Sequence, residues 1–134
     1  MNSLFSKIIR GEIPSYKLAE NQFCYAFFDS KPLTKGHSLV VPKQEIDYIF
    51  DVPDELLMEM ILFSKKLATA IKKNVSCTKV GLCIIGLEVP HAHIHLVPIN
   101  QIADLNFSNN RVNISDLEMQ SLAAKIAQDF IALT

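Results

Sequence analysis

Pro90-His91-Ala92-His93-Ile94-His95-Leu96-Val97-Pro98 places three of the chain's four histidines at a spacing of two. In a β-strand successive side chains point to opposite faces. His91, His93 and His95 are therefore expected on one face, with Ala92, Ile94 and Leu96 pointing into a core. Val97 is β-branched and suits a strand, and the two prolines bracket the run, where proline is tolerated. Three imidazoles in a row on one face are seldom packing residues. The chemistry of the chain is expected here.

Two chemistries compete for the stretch. His-x-His on a strand presents two ligands to zinc or another transition metal. A metal site also needs a further ligand and partners that orient the rings. Glu88 is the one acidic residue in the ten positions before His91, and none follows until Asp104. The other chemistry is nucleophilic: an imidazole nitrogen attacks phosphorus and forms a covalent intermediate, dividing one hard displacement into two easier ones. That requires a nucleophile fixed in one tautomer, donors for the nonbridging oxygens and a proton for the leaving group. Alternating imidazoles about 7 Å apart can supply nucleophile and donors together, and His93 in the middle is flanked on both sides. Spacing alone leaves metal binding, nucleophilic catalysis and structural histidines all open.

On the N-terminal side, Leu4, Phe5, Ile8 and Ile9 recur at helical spacing, closed by Gly11 and Pro14. Residues 16–20 and 23–28 read as two strands joined at Asn21-Gln22, a pair suited to a tight hairpin. Residues 29–36 form a loop by their turn residues, and residues 37–42 a third strand. Asp51 is expected to cap a helix over residues 54–73, with Asp54 and Glu55 at its positive end and Lys72 and Lys73 at its negative end. Leu57, Met60, Ile61, Leu67, Ala68 and Ile71 mark its apolar face. Residues 79–86 predict a fourth strand, apolar on both faces and so covered on both. Beyond the histidines, residues 100–113 show no period. Ser115-Asp116-Leu117-Glu118 has capping-box spacing, and Met119, Leu122, Ala123, Ile126 and Phe130 mark a C-terminal amphipathic helix. The sum is an α+β fold: an antiparallel sheet of about five strands with a long central helix and a C-terminal helix.

With 134 residues the chain fits one domain, residues 1–134. A net charge of −1, with no long basic stretch, argues against binding a nucleic-acid polymer. Three cysteines without a Cys-x-x-Cys pair suit reduced thiols in the cytoplasm. There is no signal-peptide pattern and no run of membrane-spanning length, so no membrane is expected as a partner.

His91-Ala-His93-Ile-His95-Leu-Val resembles the His-φ-His-φ-His-φ-φ motif of the histidine triad (HIT) family of nucleotide hydrolases and transferases. Phe5-Ser-Lys-Ile-Ile-Arg-Gly-Glu-Ile-Pro14, Ala26-Phe-Phe-Asp29 and Gly36-His37-Ser-Leu-Val-Val-Pro-Lys43 are similar to the N-terminal segments of its Hint-like branch. Together they cover about residues 3–98. The resemblance implies a homodimer with no cofactor and no catalytic metal, acting on a purine nucleotide, AMP by the family's habit. It implies His93 as the nucleophile, His95 on the α-phosphate, His91 as a supporting hydrogen-bond partner and His37 as the fourth active-site histidine. Asp29 falls where the family binds ribose, and Phe5, Ile8 and Phe27 where it encloses the base.

The chain departs from the family pattern at three places. Before the triad the family carries Gly-Gln-Ser/Thr-Val-x-His, whereas here Gly86-Leu87-Glu88-Val89-Pro90-His91 puts Glu88 in place of the hydroxyl near the leaving group. The upstream Asn-x-Gly loop has no counterpart in Val80-Gly81-Leu82-Cys83. Zinc-containing relatives carry cysteines around the first Phe and a histidine after the Pro-Lys block; Ser3, Ser6 and Glu45 stand there instead. Two functions follow. The first is cleavage of a nucleoside monophosphate from an amine, phosphate or acyl group, of phosphoramidase or dinucleoside polyphosphate hydrolase type. The alternative is a non-enzymatic nucleotide-binding or adaptor protein of the same fold.

Overall fold

The computed structural model describes residues 1–133. Five strands form one antiparallel sheet: β1 (Lys17–Glu20), β2 (Cys24–Phe28), β3 (Ser38–Pro42), β4 (Lys79–Cys83) and β5 (Ile94–Ile99), in the order β1-β2-β3-β5-β4. Three helices, α1 (Leu4–Ile9), α2 (Asp54–Asn74) and α3 (Asp116–Ala132), complete the α+β architecture.

The period-two alternation of the strands divides the sheet into two apolar layers. Cys24, Ala26 and Phe28, Val40, and Ile94 and Leu96 turn to one face, where Met60, Phe63, Leu67 and Ile71 of α2 and Met119, Leu122 and Ile126 of α3 cover them. Tyr25, Phe27, Leu39 and Val41 turn to the other face, covered by Phe5 and Ile8 of α1. His95 lies opposite Leu39 on β3 and Cys83 on β4, on this second face. The histidine chemistry is thus carried by the face whose helical cover is the six-residue α1.

Several local expectations change. β5 begins at Ile94, so His91 and His93 stand in the loop that enters it. Pro90 and the hydrogen bonds His91 N–H to Val89 O (2.7 Å) and Ala92 N–H to Ile46 O (2.7 Å) hold that loop off the ladder. Asp51 lies in a 3₁₀ turn, Ile49–Asp51, and the residue at the start of α2 is Pro53, with no side-chain cap. The buried stripe of α2 is Met60, Phe63, Ser64, Leu67, Ala70 and Ile71; Ile61 is exposed. Ser64 fits the stripe because its hydroxyl donates to Met60 O at 2.8 Å. β4 is an edge strand with no buried residue, so it is not covered on both faces. α3 starts as its sequence predicts, with Ser115 Oγ accepting the Glu118 N–H (3.1 Å), and its buried face is the predicted one.

Gly36, before β3, has φ +94, and a Cβ there would lie 2.9 Å from Val75 Cγ2 and 3.1 Å from a Pro98 ring carbon. Only glycine takes that turn without strain, and the turn delivers His37 to the site.

Candidate active site

The four histidines converge from three segments and are all buried: His37 immediately before β3, His91 and His93 in the loop before β5, and His95 in β5. Their hydrogen bonds fix their tautomers, because a carbonyl oxygen only accepts and a backbone N–H only donates. His93 Nδ1 lies 2.8 Å from His91 O, so Nδ1 carries the proton and Nε2 keeps its lone pair. His37 Nδ1 accepts the Leu33 N–H at 3.0 Å, which places the proton on Nε2. That Nε2–H points at His95 Nδ1, 3.0 Å away, so the neutral His95 ring is protonated on Nε2. His93 is left with an acceptor nitrogen and His95 with a donor nitrogen, their rings edge-on with centroids 4.8 Å apart.

Burial keeps the rings neutral. Desolvation is the first cause for all four, pushing His37 down to about 4 and His95 to about 3, with His91 and His93 also below the ordinary 6.5. The same cause raises the Asp29 carboxyl, partly offset by the Lys31 N–H it accepts at 2.9 Å. Asp29 Oδ2 stands 3.7 Å from His37 Nε2.

His91 is held by a polar network under α1. Its Nε2–H donates to Pro42 O at 2.8 Å, leaving Nδ1 to accept from Ser3 Oγ at 2.7 Å. Ser3 Oγ also accepts the Ser6 N–H (3.0 Å), which caps α1. Ser6 Oγ and the Ser3 N–H both donate to Glu45 Oε1, at 2.7 and 2.9 Å, and hold that carboxyl down at about 2.

A cleft of about 480 Å³ opens over His93 and His95. Phe5, Ile8, Phe27, Asp29 and Glu88, each singled out in the sequence, line it together. The Phe5 ring stands edge-on to His93 (4.9 Å) and to Phe27 (5.5 Å). Glu88 is exposed at the rim, and its charge favours the protonated form of His93, a smaller effect than desolvation. Two residues of the aperiodic segment also belong here: Phe107, edge-on to His95 at 4.8 Å, and Arg111, which lines the cleft. Arg111 is one of two arginines in the chain, set among asparagines; that isolation was the available signal.

Residues 10–102 match the family described as the HIT domain. The chain belongs to the HIT family. Adenosine 5'-monophosphoramidase of Saccharomyces cerevisiae is 41% identical over 96 residues, which are 71% of this chain and 61% of that protein. Adenosine 5'-monophosphoramidase of Schizosaccharomyces pombe is 33% identical over 129 residues, 95% of this chain and 97% of its own. The crystal structure of a Hit-like protein from Bartonella henselae shares the fold with a TM-score of 0.82 and 28% identity, covering 96% of each chain.

In this HIT domain one cluster brings three possible metal ligands together, and one of the three already holds a hydrogen bond. Asp29, His37 and His95 bring ligand atoms within 4.8 Å of one another. Yet His37 Nδ1 already takes the Leu33 N–H, so its Nε2 holds a proton and no lone pair. At Ser3, Ser6 and Glu45 two neutral hydroxyls are bonded within their own network, whereas zinc takes thiolate, imidazole or carboxylate donors. Among the described residues no helix is long and apolar enough to cross a membrane, and Cys24, Cys77 and Cys83 are free thiols.

Proposed function

We propose that residues 1–134 act as one catalytic domain that cleaves a nucleoside monophosphate, AMP in the first instance, from an amine, phosphate or acyl leaving group. The observation that carries this reading is the tautomer of His93: Nδ1–H tied to His91 O, with Nε2 free beside the donor His95. The relatives named as adenosine 5'-monophosphoramidases support the same substrate class.

In the first step His93 Nε2 attacks the α-phosphorus. The phosphorus–leaving-group bond breaks as a phosphorus–nitrogen bond forms, and the leaving group departs with a proton taken from solvent. Positive charge developing on the ring strengthens the Nδ1–H bond to His91 O, an interaction worth more in the transition state than in the ground state. His95 Nε2–H donates to a nonbridging oxygen. Water then attacks phosphorus, the bond to Nε2 breaks, the water proton is lost to solvent and the monophosphate leaves. Asp29 takes the ribose hydroxyls, Phe5, Ile8 and Phe27 enclose the base, and Glu88 meets the leaving group.

The protein works as a homodimer in the cytoplasm. Support for the dimer is the edge position of β4, which leaves Leu82 and Ile85 exposed at 48% and 46%; a second copy paired there would cover them. The catalytic reading is tested by incubation with adenosine phosphoramidate, a diadenosine polyphosphate and an aminoacyl-adenylate. AMP release and an acid-labile AMP adduct on His93 in quenched mixtures are the expected results. Tight AMP binding with no turnover of any substrate would leave the non-enzymatic binding protein instead.

A further inference from the structure

Four neutral imidazoles offer a transferring phosphoryl group hydrogen bonds but no fixed positive charge. Arg111 is placed to supply it. The segment after β5 returns along the open side of the cleft and is pinned by Val112 N–H to Pro32 O, 3.0 Å. One residue earlier, Arg111 Nη1 donates to Lys31 O at 3.0 Å. Its guanidinium lies 5.5 Å over the Phe107 ring. Phe107 in turn packs edge-on against His95 (4.8 Å) and His37 (6.2 Å). Backbone anchor, aromatic platform and histidine pair thus hold one half-buried cation on the His95 side of the cleft that it lines. A guanidinium has five N–H donors in a fixed fork matched to phosphate oxygens, and the Lys31 contact uses one.

We propose that Arg111 is the cationic contact for the anionic phosphoryl group of the bound nucleotide, a catalytic residue contributed by the segment between β5 and α3. The proposal rests on the nucleotide-hydrolase reading and adds the charge which that reading lacks. Supporting it, the field of Arg111 reaches His37 and His95, disfavouring their protonated forms, and reaches Asp29, favouring its ionised form. That positive charge adds to the burial that keeps both imidazoles neutral, while remaining available to the substrate. Two other residues compete for the role. Lys31 lines the cleft, but its side chain is exposed and free to swing away. Asp29 offers Arg111 a purely structural task, balancing a carboxylate. A ligand with ribose but no phosphate separates the two tasks.

Calorimetric titration of wild type, Arg111→Gln, Arg111→Lys and Lys31→Gln with AMP and with adenosine decides the matter. Adenosine reads the base and ribose contacts; AMP adds the phosphate. Wild type is expected to bind AMP more tightly than adenosine. Arg111→Gln should weaken AMP about ten- to a hundredfold, the range for a charge-assisted contact, and leave adenosine within about twofold. Arg111→Lys should fall between, keeping the charge without the fork, and Lys31→Gln should stay near wild type. Turnover of adenosine phosphoramidate should fall in the same order. The proposal is overturned if Arg111→Gln leaves AMP binding unchanged, or weakens AMP and adenosine equally, since both place the phosphate elsewhere. If wild type binds neither ligand, the nucleotide-hydrolase reading falls first and takes this proposal with it.

Discussion

Ser3 Oγ lies 2.7 Å from Nδ1 of His91, a contact across 88 positions of sequence. It joins the cap of α1, which carries Phe5 and Ile8, to the loop whose carbonyl holds the nucleophile candidate His93. Base-enclosing residues and attacking nitrogen therefore share one support. In Ser3→Ala the Ser6 N–H loses its cap and a fully buried imidazole nitrogen loses its partner, together worth about 1–3 kcal/mol. Denaturant unfolding should report that loss. Steady-state kinetics should show a higher KM as well as a kcat lowered about tenfold. An unchanged KM would detach α1 from nucleotide binding.

His93 is buried under the Phe5 ring, not exposed on a sheet surface. Its removal has two consequences that can be measured separately. His93→Ala leaves a void between Phe5 and His95 and should cost about 1–3 kcal/mol of stability. Turnover should fall by about a thousandfold or more, because the covalent route is gone. His95→Ala and His91→Ala should retain more activity, losing phosphate donor or support but not the attacking atom. Full activity in His93→Ala would overturn the mechanism.

Much of this site was legible in sequence because strand alternation is a short-range rule. Knowing that Ile94 and Leu96 are apolar is enough to send His95 to the opposite face, and the capping box placed α3 to the residue. What escaped depends on tertiary paths. Arg111 and Phe107 reach the cleft because an aperiodic segment is tied to Pro32 and Lys31, and no local pattern encodes a route of that kind. On α2 the expected stripe holds at Met60, Leu67 and Ile71 but takes in the exposed Ile61 and omits Ser64, which is polar by composition yet satisfied by its own helix.

Stability should depend on pH through the histidine pair. Burial holds His37 near 4 and His95 near 3, below the ordinary 6.5 of an unfolded chain. Between those values the unfolded state binds more protons, so unfolding free energy rises with pH. The contribution is complete above about pH 6.5 and is lost progressively as pH falls toward 3, on the order of a few kcal/mol in all. Thermal unfolding followed by circular dichroism should give a lower Tm at pH 5 than at pH 7.5. His37→Asn, whose amide oxygen can still accept the Leu33 N–H, should flatten the dependence. A Tm constant over that range would refute the assignment.

The exposed edge of β4 predicts association. Light scattering at micromolar concentration should give twice the chain mass, and Leu82→Lys, placing a charge on the uncovered margin, should shift the protein toward monomer. A monomeric wild type would remove the dimer.

Glu88 sets the last expectation. It stands at the rim of the cleft near His93, where the resemblance implied a Ser or Thr hydroxyl. An ionised carboxylate repels an anionic leaving group and attracts a cationic one, and the effect is damped because the residue is exposed. The natural protein should therefore prefer amine leaving groups to phosphate ones. Glu88→Ser removes the charge and supplies a hydroxyl. The ratio of kcat/KM for a diadenosine polyphosphate to that for adenosine phosphoramidate should rise about three- to tenfold, equivalent to roughly 1 kcal/mol. The rise should shrink as salt screens the rim. Equal changes for both substrates would mean that Glu88 acts on the nucleotide they share, and the leaving-group role would then belong to another residue of the cleft.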